Sequence, residues 1–220
     1  GENDKEQRLD RFLKKYLPKA PNHLLQKYIR TKKIKVNKKR AQSDQVLKEG
    51  DILNIDVAVI KDGYFGDTSR MYFVGEPSPE AKKLVETTYE AMLAGIHTVK
   101  PGATLGDIGY AIQSVAQREG YSIVREYCGH GIGRIYHEQP NILHYGQKGQ
   151  GMTLKKGMVF TIEPMVNAGK RHVKELNDGW TVVTQDKSLS AQWEHMVVVT
   201  DDGFELLTPW PNGTGHYPAV

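Results

Sequence analysis

The chain has one cysteine in 220 residues. Cys128 has no internal partner, so a disulfide framework is excluded. A chain of this size without disulfides suits a reducing compartment, and a cytoplasmic location is expected. No apolar run approaches the roughly 18 residues of a membrane span, and no signal-peptide core is seen, so no membrane partner is expected. A phosphate loop is missing too. Gly129-His130-Gly131-Ile132-Gly133 lacks the Lys-Ser/Thr ending and the strand–loop–helix setting of that motif. Cys128 belongs to no Cys-His-Asn constellation and reads as a small buried residue rather than a nucleophile. No Gly/Ser or Pro-rich linker divides the chain, and its length allows one or two domains with an ample core.

Charge is present but unevenly placed. Residues 1–46 carry 14 Lys+Arg against 5 Asp+Glu, a net of +9, and the remainder carries 16 against 21, a net of −5, which gives the chain's +4. A basic module joined to an acidic one reads as a phosphate-binding surface attached to something else. A basic helix pair that is merely solvated is the alternative. Lys32, Lys33, Lys35, Lys38, Lys39 and Arg40 crowd one turn, which favours structured RNA as a partner of this segment.

Five potential metal ligands stand in five distinctive contexts. They are Asp56 in NIDVAVIKDG, Asp67 in GDTSR, His130 in CGHGIGR, Glu163 in FTIEPM and Glu194 in SAQWEH. Four carboxylates and one imidazole form a hard, oxygen-rich set that suits a pair of divalent first-row ions. Acids in apolar strand-like segments are costly unless a counter-charge compensates them. In Leu53-Asn54-Ile55-Asp56-Val57-Ala58-Val59 the odd positions are all apolar. A strand there buries Leu53, Ile55, Val57 and Val59 on one face and turns Asp56 to the other. Asp62-Gly63 reads as a tight turn. A turn centred near residue 62 puts Asp67 roughly opposite Asp56, with Cβ atoms about 4.5–5.5 Å apart. From the hairpin alone, two solvent-facing acids are as good a reading. Phe160-Thr161-Ile162-Glu163-Pro164 and Trp193 to Val199 repeat the pattern of one acid in an apolar strand. His23, His97, His144, His172 and His216 have no ligand context. His195 would point to the opposite strand face from Glu194, where packing or a supporting role fits better than ligation.

These segments, with VREYCGHGIGR, TIEPMVNAG, DGWTVVTQD and SLSAQWEH, resemble the type I methionine aminopeptidases of the pita-bread metallopeptidase family. The resemblance runs from about Leu47 to about Thr208. It implies that Asp56, Asp67, His130, Glu163 and Glu194 hold two divalent ions, among Co, Mn, Fe and Zn. It implies that a bridging water attacks the first bond of a peptide with N-terminal methionine, with Glu163 as proton shuttle. His137 matches a substrate-contacting histidine, which with Glu163 makes the catalytic pair, and Trp180 matches a residue lining the methionine pocket. The family has a further stretch before its first aspartate, which supplies another histidine and part of that pocket. Nothing in residues 1–46 resembles it.

Residues 7–46 instead resemble the S4 RNA-binding domain of large-subunit-type pseudouridine synthases, in QRLDRFLKKYLP, APNHLLQKYIRTKKIKVNKKRA and the LKEGD that follows. Leu9, Phe12, Leu13 and Tyr16 form one helical stripe, and Leu24, Leu25, Tyr28 and Ile29 a second. Ile34 and Val36 alternate with lysines in a short strand. The synthase's catalytic domain is absent. Leu47-Lys48-Glu49-Gly50-Asp51 suits both resemblances, which points to a chimera joined inside a shared strand. The expected architecture is α+β: the C-terminal half of a pita-bread fold in residues 47–220, joined through that strand to an S4-like helix-helix-strand segment in 1–46. The order helix, helix, strand recurs at 80–127, so the foreign segment could stand in for the lost half. Two functions follow as expectations: a metal-dependent aminopeptidase of impaired turnover, or a chimera that binds metal or RNA without catalysis. Lost packing surface makes self-association an expectation as well.

Overall fold

The structure is a computed structural model that describes residues 6–30, 34–36, 39–40 and 44–209. The chain opens with α1 (Leu9–Tyr16) and α2 (Asn22–Arg30), followed by β1 (Ile34–Val36) and β2 (Lys39–Arg40). The long hairpin β3 (Ile52–Lys61) and β4 (Tyr64–Phe73) comes next, then α3 (Pro79–Ile96) and α4 (Leu105–Arg118). Ten short strands complete it: β5 (Ser122–Ile123), β6 (Gly129–Gly131), β7 (Glu138–Ile142), β8 (Val159–Ile162), β9 (Met165–Asn167), β10 (Val173–Glu175), β11 (Val182–Thr184), β12 (Ser190–Gln192), β13 (His195–Val199) and β14 (Phe204–Leu206). The sheets run β2-β1-β3-β4, β12-β9-β5, β14-β13-β8-β6-β7 and β10-β11.

The hairpin is the middle layer. Its turn is Asp62-Gly63, with φ of 52° and 81°. Two positive φ values are what a two-residue turn needs to match the strands' twist. On one face Leu53, Ile55 and Tyr72 pack against the predicted stripes of the first two helices, and Leu9, Phe12, Leu13, Leu25, Tyr28 and Ile29 are all buried there. β1 extends the same sheet, with Ile34 opposite Ile55 and Val36 opposite Leu53. On the other face Ile52, Met71 and Phe73 join a second core with α3, α4 and the inner strands β8 and β13. The helix pair covers only the first half of the hairpin. Val57 is therefore part-buried and Val59 is 47% exposed, although the alternation groups both with Leu53 and Ile55.

The second core is well specified locally. Ser78 caps α3, its side chain accepting from the Ala81 N–H, and Pro79 starts the helix. Thr104 and Asp107 form a reciprocal capping box on α4. The helices cross at Gly95, where a Cβ would lie 2.6 Å from Ile112 Cγ1. Trp193 is fully buried against Tyr89 and donates its indole N–H to the Val85 carbonyl at 3.0 Å. That bond ties α3 to the segment leading into Glu194.

Of the basic residues expected to meet RNA, Lys32, Lys33 and Lys38 lie outside the described residues. Lys35, Lys39 and Arg40 belong to β1 and β2, and their side chains are outside what is described.

Candidate metal centre

Register corrects the expected pairing of the two aspartates. Lys61 pairs with Tyr64 across the two-residue turn, so Asp56 lies opposite Ser69 and Asp67 opposite Ala58. The aspartates are diagonal neighbours on one face of the ladder, not directly opposed. That spacing is still within reach of long side chains and a shared ligand.

Three further segments bring their residues to this face. Glu194 bridges to β4, its N–H donating to the Ser69 carbonyl at 3.0 Å, while the Thr68 hydroxyl donates to the Glu194 carbonyl at 2.9 Å. His130 is the centre of β6, where Gly129 lets the chain run close to β8. A Cβ there would lie 2.4 Å from the Thr161 backbone carbonyl oxygen. Glu163 follows the end of β8. Ligand atoms of Asp67, His130 and Glu194 all lie within 4.8 Å of one another. Glu163 joins them, its Oε1 3.6 Å from His130 Nε2, and Asp67 Oδ2 is 3.8 Å from the same nitrogen. Asp56 lines the same cavity. Asp67 and Glu194 are 3% and 1% exposed. Carboxylates so buried and so close repel unless cations sit among them, and two or three oxygens plus one imidazole are donors of the right hardness. The residues present fit divalent metal.

The cavity is about 630 Å³. His137 and Trp180 both line it. His137 is solvent-facing, stacked on Tyr136 at 4.0 Å and edge-on to His130 at 4.4 Å. Trp180 is 49% exposed on the connection between β10 and β11. Cys128 lies at the wall, and burial followed by the charge of Glu163 pushes its thiol up. A thiol held protonated is a poor nucleophile.

Several contributors escape the sequence reading. Tyr136 lies against the centre, its ring 5.7 Å from that of His130. Burial, then the charge of Asp67 and a hydrogen bond with it, raise its phenol well above the usual range. Thr161 donates to Glu163 Oε1 at 2.8 Å, and Gln192 donates to Glu163 Oε2 at 3.2 Å. The Glu163 N–H donates to Nε2 of His144, a wholly buried side chain. Burial depresses the His144 imidazole to about 3, so it is neutral and able to accept. His195, on the far face from Glu194, is buried with Nδ1 3.1 Å from the Thr208 hydroxyl. The only signal for Thr161 and Gln192 was strand alternation, which puts a residue two places from an acid on the acid's own face.

Buried carboxylates around a histidine, at the edge of a cleft, form a donor set suited to divalent metal. Residues 9–201 match the model of metallopeptidase family M24, and the chain belongs to that family, with its pita-bread fold of mixed helices and sheets. The matched span takes in α1 and α2 as well as the ligand strands. The chain is 58% identical over 177 residues to a methionine aminopeptidase of Rickettsia prowazekii, covering 80% of this chain and 68% of that one. It is 56% identical over 164 residues to the methionine aminopeptidase of Escherichia coli K12, covering 74% and 62%. A crystal structure of the Rickettsia prowazekii methionine aminopeptidase superposes with a TM-score of 0.76 at 56% identity, covering 79% of this chain and 71% of that one. A prolidase from Pyrococcus furiosus superposes at 0.62 with 27% identity, covering 78% and 45%. The chain thus spans roughly two thirds of its methionine aminopeptidase relatives.

Proposed function

We propose that the chain is a metal-dependent aminopeptidase that removes methionine from peptide N-termini, at impaired turnover. The observation that carries this is the cluster of Asp67, His130 and Glu194 within 4.8 Å. Asp56, Asp67, His130, Glu163 and Glu194 would hold two divalent ions, as methionine aminopeptidases of family M24 do. Such ions, when bound, supply a more acidic water and a polarised carbonyl. The chain's own residues supply the rest. Glu163 Oε1 faces His130 and can take a proton and return it to the leaving amine. His137 at the rim faces solvent where it can meet the substrate backbone, and Trp180 offers an apolar surface to the methionine side chain. Turnover is impaired because these groups are poorly enclosed. Trp180, at 49%, and His137 are both exposed, and loss of positioning costs orders of magnitude in rate. An open site also admits water, which weakens electrostatic stabilisation.

The test is a steady-state assay of Met-Ala peptides with Mn²⁺ or Co²⁺. Methionine release well below about 1 s⁻¹, the low end of ordinary enzymes, is expected, and Glu163→Gln should abolish it. Release of several per second would refute the impairment. No release at saturating metal would favour the alternative, a metal- or RNA-binding chimera without peptidase activity.

Residues 1–46 are proposed as an S4-like unit that binds structured RNA, and residues 47–220 as the catalytic part. Support comes from the +9 charge and the helix-helix-strand order of α1, α2 and β1. Counterion release makes such binding fall steeply with salt. A gel-shift series that shows no complex even at low salt would remove this reading.

A further inference from the structure

Glu163 is gripped at both oxygens and at its backbone, and the two grips on its oxygens lead to other ligand residues. The Thr161 hydroxyl has a single proton, which it gives to Glu163 Oε1 at 2.8 Å. Its lone pairs are then the acceptor for the His130 N–H at 3.0 Å. One hydroxyl therefore links two ligand residues, with its polarity set by Glu163, which as a carboxylate can only accept. Gln192 donates to the second oxygen, Oε2, at 3.2 Å. The backbone carbonyl of Gln192 accepts from Asn54 Nδ2 at 2.8 Å, and the same nitrogen donates to the Ser69 hydroxyl at 2.6 Å. Ser69 is the cross-strand partner of Asp56 and bridges to Glu194. Thr161 is fully buried. This polar relay runs Ser69, Asn54, Gln192, Glu163, Thr161, His130, and it ties together five strands, β4, β3, β12, β8 and β6.

We propose that Thr161 and Gln192 are positioning residues, which fix the plane of the Glu163 carboxylate and, through Thr161, the place of His130, so that the metal centre is formed before metal arrives. Groups that orient ligands from behind are worth about 10–100-fold in metal affinity. The inference rests on the metal-centre reading above. The Glu163 carboxylate hangs just past the end of β8 on three side-chain torsions. Without donors on both oxygens it would turn away from His130, and each metal bound would have to order it.

The experiment is calorimetric titration of the full chain with Mn²⁺, and the visible absorption of bound Co²⁺, in four forms: unchanged, Thr161→Ser, Thr161→Val and Gln192→Met. Thr161→Ser keeps the hydroxyl and should bind within about threefold of the unchanged chain. Thr161→Val keeps the shape without the donor and should bind at least about tenfold more weakly, with an altered Co²⁺ spectrum. Gln192→Met should also weaken binding about tenfold. A purely packing role would lower the melting temperature of Thr161→Val without this separation from Thr161→Ser. If Thr161→Val does not fold, Gln192→Met decides. Binding by the unchanged chain with undiminished binding by the folded variants would overturn the positioning role alone. Failure of the unchanged chain to bind would overturn the metal reading and this inference together.

Discussion

Asp67→Asn tests the metal centre with the least disturbance. The amide keeps the shape of a side chain that is 3% exposed, and its oxygen still accepts hydrogen bonds, but the charge is gone. At a metal concentration about 100 times Kd, binding to the folded state alone stabilises by about 2.7 kcal/mol. For a chain of this length each kcal/mol moves the melting temperature by about 2–4 °C, so the unchanged protein should gain about 5–10 °C. Loss of a direct ligand should cost at least the upper end of what a supporting group is worth, about 100-fold. At the same concentration the variant then sits near its own Kd, where the gain is about 0.4 kcal/mol, or about 1 °C. The metal-free variant should melt no lower than the metal-free parent, because one of several buried, mutually repelling carboxylates has been neutralised. Thermal melts by circular dichroism, with Mn²⁺ and with EDTA, give all four numbers. A variant that keeps half or more of the parent's metal-dependent gain would remove Asp67 from the centre.

Leu53→Ala empties a fully buried site between the hairpin and the first two helices and should cost about 2–5 kcal/mol, read from the urea midpoint. Gly129→Ala places a Cβ 2.4 Å from the Thr161 backbone carbonyl oxygen. It should displace His130 and reduce Mn²⁺ affinity by more than tenfold, roughly the loss of a positioning group, and unaltered affinity would contradict the close approach. Stability should also fall on mild acidification. Burial depresses His144 to about 3 and His195 to about 4, against about 6.5 in an unfolded chain. Above pH 6.5 neither state binds these protons. Below it the unfolded chain does and the folded chain does not, so stability declines as pH falls from about 6.5 towards 4. His144→Gln should flatten part of that slope in urea titrations, and an unchanged slope would mean that His144 is accessible to protons when folded.

Much of the site was legible because strand alternation and turn chemistry are local. Asp62-Gly63 demanded a two-residue turn, and alternation sent Asp56 and Leu53 to opposite faces. The mistaken pairing of Asp56 with Asp67 came from centring the turn loosely. Once Lys61 pairs with Tyr64, every later pair follows, and Ser69 must face Asp56. The exposure of Val59 was not legible, since it depends on how far along the hairpin a helix pair from elsewhere in the chain extends. His144 was passed over for a similar reason. Its role is to accept a backbone N–H from a strand 19 residues away, and no local pattern announces that.

The supporting groups follow a rule that alternation could have exposed. Each acid of the centre has a polar residue two places away along the chain, in or next to a strand: Asn54 before Asp56, Ser69 after Asp67, Thr161 before Glu163, Gln192 before Glu194. A period of two puts each pair on one face. In a buried face, a hydroxyl or amide is tolerable only if it is hydrogen-bonded, and beside a carboxylate the available bond is one it donates. These four, with Glu163 and His130, are the members of the relay that joins the ligand segments. An exposed acid on a hairpin would put no such demand on its neighbour. Thr161 and Gln192 both donate to Glu163, and Asn54 links Gln192 to Ser69, so the relay holds the acid-bearing segments together. Their geometry is then set by the strands rather than by whatever binds between them.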